Sequence, residues 1–364
     1  MEQDLLAPDE IVRSLHLRRV RVSLHTPYRL SYRTFDEFEP FLVEARNADG
    51  RLGLGEAHIS PGSSKETREG GWAFCTEMMP GLPGLPVAEA RARVLAEAHR
   101  SPAAASAIVT ALEMLGQHRA LTTTHTVRHA LLAPMAATEP DAIAAEMERW
   151  VEQGYPTLKV KVGKDVQADL ARVRHIQDCA RSRVTLRLDA NRGFDRAQAL
   201  AFVRGLDPEG IELFEQPCPT DAWDDNAAVA AASPVPLMLD EPICSLADIA
   251  RAGDIPNVRF CKVKLKRFSG LGRLIAALEA VRAHGMGAVL GDGLGADLSG
   301  WMEAMAGEGR IYGAGEFNGF QKLNEGLLAE ALPARGPNIE IPAGFVPRLD
   351  PASVARRTEA EFSA

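Results

Sequence analysis

Three short, largely apolar runs in the middle of the chain each end on an acid: Leu186-Arg187-Leu188-Asp189, Leu213-Phe214-Glu215 and Leu237-Met238-Leu239-Asp240. The acids follow one another at intervals of 26 and 25 residues. A strand can lie parallel to its predecessor only after a crossover of a dozen or more residues, usually a helix. A nearly constant period of this length therefore brings one carboxylate per successive strand to the same rim of a parallel sheet.

The same rhythm extends on both sides. Strands are expected at Ala130 to Ala136, Thr157 to Val162, Thr185 to Asp189, Glu212 to Glu215, Leu237 to Asp240, Phe260 to Lys264, Ala288 to Gly291 and Ile311 to Ala314. Amphipathic helices fall between them at Asp141 to Gln153, Val166 to Ala180, Arg196 to Gly205, Gly270 to His284 and Ala296 to Ala306. Eight such strands close into a barrel whose strand C-termini carry the site. Upstream the pattern differs. Residues 17 to 57 alternate as an antiparallel meander, with Asn47-Ala48-Asp49-Gly50 as a turn. Helices follow at Glu66 to Met79, Val87 to Ala98 and Ala103 to His118. After Leu332, prolines at 333, 337, 342, 347 and 351 rule out a continuing helix, and the tail is expected to wrap back over the first part. The division is an α+β capping domain, 1–125, completed by 332–364, and a barrel domain, 126–331.

Composition narrows the partners. At 46% hydrophobic and 25% charged the chain can bury a large core, and its net charge of −8 would repel nucleic acid. No run is long enough to span a membrane, and charged residues interrupt the apolar N-terminal stretch, unlike a secretory signal. Five cysteines without a CxxC pair do not form a disulfide framework. The expectation is a cytoplasmic enzyme for a small molecule, assembled as a homo-oligomer as soluble enzymes commonly are.

Three converging carboxylates need a countercharge. All-oxygen ligation suits Mg²⁺, or Mn²⁺, better than zinc. A lone acid at a strand end usually caps the next helix, but three in register argue for a cation. Across from them, Thr157-Leu158-Lys159-Val160-Lys161 puts two lysines on one face of a strand, where repulsion and burial should lower one pKa and yield a base. A further strand carries Lys262, Lys264 and Lys266 at equal parity, and Lys264 falls 24 residues after Asp240. Spacing alone does not choose among those three. A metal and lysines together suit removal of a proton beside a carboxylate, because the resulting enediolate is dianionic. Asn191, just past Asp189, is placed to hydrogen-bond near the metal site.

At these residues the chain resembles the enolase superfamily, specifically its muconate-lactonizing branch, from about Leu17 to the tail. The motifs are the Thr-x-Lys-x-Lys strand, Asp-Ala-Asn at Asp189, Phe-Glu-Gln-Pro at Glu215, Leu-Asp-Glu-Pro at Asp240 and Val-Lys-Leu at Lys264. The resemblance implies a modified (β/α)7β TIM barrel with an α+β cap and assigns Asp189, Glu215 and Asp240, rather than Glu241, to Mg²⁺. It also implies an acid/base pair of Lys161 and Lys264, with Lys159 tuning Lys161 and meeting the substrate carboxylate. Lysine bases and Mg²⁺ are an established pattern of that superfamily. Two loops, Thr26 to Phe38 and His58 to Glu69, would close the site.

Departures concern the substrate. Where better-known members carry a glutamate after the seventh strand, this chain reads Gly291-Asp292-Gly293-Leu294-Gly295, and the glutamate falls on Gly295. Asp292 is a candidate substitute, Glu316 a candidate partner for a substrate ammonium or hydroxyl, and Tyr28 and Tyr32 candidate walls, with Arg29 and Arg33 as a clamp for a distal anion. The leading expectation is two-lysine racemisation or epimerisation of a small carboxylate or amino acid derivative. Cycloisomerisation or dehydration would use the same site. A Schiff-base aldolase is a rival that leaves the acids unexplained, and a non-catalytic binding protein is a rival that leaves the lysines unexplained.

Overall fold

A curled parallel sheet carries the mouth of the molecule. The computed structural model describes residues 10–29, 33–62, 64–291 and 293–364, with Arg29 described in its backbone only. The sheet order is Gly287–Leu290, Val258–Val263, Leu237–Leu239, Ile211–Glu215, Thr185–Asp189, Thr157–Lys161 and Ala133–Met135. Every neighbouring pair in it is parallel. Helices such as Pro140–Glu152, Val166–Ala180, Arg196–Gly205 and Leu271–Ala283 connect the strands, as the 3.6-residue patterning predicts.

Two expected strands are corrected. Ala130 to Ala136 splits: Val127–Ala130 pairs antiparallel with Asn338–Ile341, and only Ala133–Met135 joins the barrel. Ile311 to Ala314 is not a strand, because Gly313 turns the backbone to φ 60°. Closure is achieved without one. Tyr312 N and Glu316 N donate to Ala288 O and Leu290 O at 2.8 Å, while Gly315 N donates to Ala130 O at 2.8 Å and its carbonyl accepts from Leu132 N at 3.2 Å.

The cap is a sheet in the order Thr358–Ser363, Ser14–Val20, Phe41–Arg46, Leu52–Ala57. It is not the simple meander expected. The chain leaves the sheet after Val20, and Val22–Arg29 pairs with Thr34–Phe38 as a separate hairpin. The Ala-rich helix Pro102–Leu115 lies directly on Leu52–Ala57, where a Cβ at Gly53 or Gly55 would come within 2.0 Å or 1.9 Å of the carbonyls of Ala111 and Ala107. The tail does return to the cap, through a short helix, Pro351–Arg357, with proline in its first turn, and a strand paired to Ser14–Val20.

Two buried glutamates fasten the lobes together. Helices Leu271–Ala283 and Asp297–Gly307 have no side-chain cap of their own. Glu113 of the cap accepts from Leu271 N (2.6 Å) and Gly272 N (3.1 Å) and pairs with Arg91 (3.0 Å). Glu56 accepts from Leu298 N (3.0 Å), Ser299 N (3.1 Å) and Ser299 Oγ (2.9 Å). Each supplies the acceptors that a helix N-terminus lacks. All five cysteines are free thiols, and no described helix is long and apolar enough to cross a membrane.

Candidate active site

The strand order arranges the mouth. Lys264, Asp240, Glu215, Asp189 and Lys161 end, or directly follow, five adjacent strands, so the three acids lie between two lysines. Lys161 and Asp189 are register partners, as are Asp189 and Glu215. All three carboxylates are buried.

Ion pairs hold them there. Lys161 Nζ donates to Asp189 Oδ2 and, at 2.7 Å, to Asn191 Oδ1, and Asn191 N returns a bond to Asp189 Oδ1 at 2.9 Å. Asn191 adopts φ 44°, a left-handed conformation that asparagine tolerates and that turns its side chain back onto the strand end. Lys159 Nζ sits 2.9 Å from Asp189 Oδ2, 2.7 Å from Glu215 Oε2 and 2.9 Å from Glu316 Oε2. At the other end Lys264 Nζ donates to Asp240 Oδ2 at 2.9 Å, and Arg267 lies 2.9 Å from Asp240 Oδ1.

The titration of these groups follows. Burial pushes Asp189 up, but Lys159 and Lys161 outweigh it and hold the carboxyl at about 2. Glu215 is pushed up to about 7 by burial and by Asp189, with Lys159 opposing. Asp240 is held well below the usual range because Arg267 and Lys264 overcome burial. Of the two lysines on that strand, Lys159 is not a lowered one. Burial does pull Lys159 down, but Asp189, Glu215 and Glu316 hold it well above its ordinary value. A lysine that is lowered lies on another strand: Lys262, 1% exposed inside the barrel, where burial prevails over Glu316.

Other expected residues are spread around the mouth. Glu316 is 3% exposed and turned to the protein's own cations, Lys159, Lys262 and, at 3.7 Å, Arg187. Tyr28 stands over the seventh loop, with Lys322 Nζ 4.6 Å from its ring centroid and Phe38 edge-on. Arg33 lies over Phe35 at 4.9 Å. Tyr32, Asp292 and the Arg29 side chain fall outside the described residues. Gly291 and Gly295 have φ of 95° and 99°. A Cβ at Gly295 would meet Glu56 Oε1 at 3.2 Å, so the position that carries glutamate in better-known members is built here as a left-handed turn beside a buried carboxylate.

Sequence reasoning missed three cations. Arg187, fully buried, pairs with Glu212 and donates to Ala314 O at 2.8 Å. Lys322 Nζ joins Gly293 O (2.9 Å) to Asn318 Oδ1 (3.0 Å). Arg267 completes the set. Lys262 is open in the sequence, since parity alone does not choose among it, Lys264 and Lys266.

The donor set suits a hard divalent cation. It comprises three buried carboxylates on adjacent strands, and Glu215 Oε1 is a buried acceptor with no hydrogen bond. Lysine ammonium groups stand on these oxygens, and among the described residues no three acids, histidines or cysteines stand at metal-ligating spacing. A cation seated there would compete with Lys159 for Asp189 and Glu215.

Fold and mouth together define a class, an enzyme built as a capped, modified (β/α) barrel with acids and lysines ordered around its strand ends. The family model described as "Enolase C-terminal domain-like" matches residues 142–344. A hydrophobic dipeptide epimerase from Citrifermentans bemidjiense is 32% identical over 72% of this chain and 77% of its own. Muconate lactonizing enzyme from Pseudomonas fluorescens, solved with muconolactone, superposes with a TM-score of 0.87 at 23% identity, covering 96% of this chain and 100% of that one. A dipeptide epimerase from Cytophaga hutchinsonii, solved with Mg and D-Ala-L-Val, gives 0.86 at 19% identity, covering 97% and 99%. The chain belongs to the enolase superfamily, in its muconate lactonizing enzyme and mandelate racemase branch, and is an enzyme of the racemase, epimerase and cycloisomerase kind.

Proposed function

We propose that the protein racemises or epimerises an amino acid derivative by moving the proton α to its carboxylate between Lys161 and Lys264. The observation that carries this is the strand order, which puts one lysine at each end of a row of three acids. Asp189, Glu215 and Asp240 would hold Mg²⁺, which supplies Lewis-acid charge to the substrate carboxylate when bound.

The chain's own groups do the rest. Lys161, set by Asp189 and Asn191, takes the proton on one face, and Lys264, set by Asp240, returns one on the other. Lys159, kept charged by three carboxylates, faces the negative charge that develops as the proton leaves. Tyr28, over the seventh loop, helps exclude water from the mouth.

The test is α-deuterium incorporation in D2O. Purified protein with Mg²⁺ is screened by NMR against dipeptides and N-acylated amino acids, with a chelator control. Exchange with loss of optical purity, abolished by the chelator, is expected. Chelator-resistant turnover with borohydride trapping at a lysine would replace this reading with Schiff-base chemistry.

A further inference from the structure

The two lysines at the ends of the acid row differ in their access to water. The side chain of Lys161 is 37% exposed at the mouth, whereas that of Lys264 is 10% exposed and held against Asp240. Moving a proton from one lysine to substrate and another from substrate to the opposite lysine leaves one amine a proton short and the other a proton in excess. The free enzyme must correct both before it can repeat the cycle in the same direction. Lys161 can do so at the mouth, and Lys264 needs a route of its own.

The junction of the lobes offers one. A pocket of about 20 Å³, room for a water molecule, is lined by Lys264, Lys266 and Ser299 on the barrel side and by Glu56, His58 and Ser106 on the cap side. Glu56 Oε1 accepts from Ser299 Oγ at 2.9 Å, and Oε2 accepts from the amides of Leu298 and Ser299 at 3.0 Å and 3.1 Å. The amides can only donate, but a hydroxyl turns: Ser299 Oγ donates to a carboxylate and accepts from a carboxyl. Glu56 therefore has a partner in either protonation state, and burial, which pushes it up to about 7, keeps both states populated near neutrality. Lys266 also lines a larger interlobe cleft of about 690 Å³, whose rim carries the exposed Lys65, so pocket and cleft meet at the Lys266 side chain.

We infer that this pocket is the proton inlet of Lys264, in which one water links the lysine to Glu56 and Ser299. The inference rests on the α-proton reading. Once Lys264 has given its proton to substrate, its amine takes one from the water, and the water takes one from the Glu56 carboxyl by way of Ser299. The carboxylate is refilled from cleft water past Lys266. The sum is one proton moved from solvent to Lys264, and the reverse steps remove one after turnover in the opposite direction.

The experiment measures kcat and KM with Mg²⁺ for each enantiomer of whichever dipeptide or N-acylated amino acid exchanges fastest in D2O. Restoring the free enzyme limits the rate at saturating substrate and does not enter kcat/KM. Glu56→Gln keeps the side chain's shape and removes the acid, and Ser106→Val fills the pocket with methyl groups. Each should lower kcat and KM together by about tenfold and leave kcat/KM within about twofold of the parent. Because Glu56 also fastens the lobes, Ser106→Val carries the test if Glu56→Gln does not fold. A crystal structure of the parent should show an ordered water in the pocket. An unchanged kcat in either folded variant, or a dry pocket in the parent, overturns the inlet. A fall in kcat/KM as large as that in kcat also overturns it, since that is what a purely structural role gives. A parent that exchanges no α-proton in any arm of the screen sinks the α-proton reading itself.

Discussion

Two strands of the barrel each bring a pair of lysines, two residues apart, to its inner face: Lys159 and Lys161 on one, Lys262 and Lys264 at the end of the other. The upper members behave alike, each meeting the acid of the adjacent strand end. The lower members differ. Lys159 reaches Asp189, Glu215 and Glu316 and is held charged, whereas Lys262 has Glu316 alone and is pulled down by burial. Equal spacing therefore gives opposite electrostatics, and the difference comes from deeper burial at Lys262 and from how many carboxylates the neighbouring strands supply.

The sharpest way to break this comparison is to remove each lower lysine in turn. Lys159→Met leaves Glu215 with no ion-pair partner among the described residues, so unfolding in denaturant should show a loss of about 3–5 kcal/mol. Added Mg²⁺ should raise the Tm of this variant more than that of the parent, because a cation replaces the missing charge.

Glu56 extends the comparison to a buried charge held without any cation. Burial pushes it up to about 7, with the Ala296 and Ser299 donors opposing. Its folded pKa lies above the unfolded value, so the stability it contributes is complete below about pH 4.5 and is lost as pH rises through about 7. Between those limits the loss should be about 3 kcal/mol. Glu56→Gln should flatten that slope in denaturation measured across the range, and an unchanged slope would assign it to other groups.

The smallest effect is expected at the other lower lysine. Lys262→Met removes a cation that is poorly compensated and leaves Glu316 with Lys159 and Arg187, so stability should stay within about 1 kcal/mol of the parent. A loss as large as that for Lys159→Met would erase the distinction between the two strands.

Much of this was legible in the sequence because the barrel repeats. The period that places Asp189, Glu215 and Asp240 at strand ends is a property of strand and helix lengths, and it carried their burial in one mouth and the flanking lysines with it. What was not legible depends on contacts between distant segments. Gly313 replaces the eighth strand with a turn, and the barrel closes only through bonds from Tyr312 and Glu316 to the seventh strand and between Gly315 and the Ala130 to Leu132 segment. Lys159 and Glu316 meet across 157 positions of sequence, beyond any local pattern. Glu56 reads as the end of an apolar strand, and only docking of the lobes makes it the cap of a barrel helix.

The central claim, that Lys161 and Lys264 work on opposite faces of one carbon, is tested most directly by single substitutions assayed with each pure enantiomer in D2O. Lys161→Ala and Lys264→Ala should each lose racemisation by about 10²–10⁴-fold. Each should still exchange the α-proton of one enantiomer, and not the same one. Two variants that retain the same enantiomer, or a variant that still racemises at the parent rate, would contradict the account.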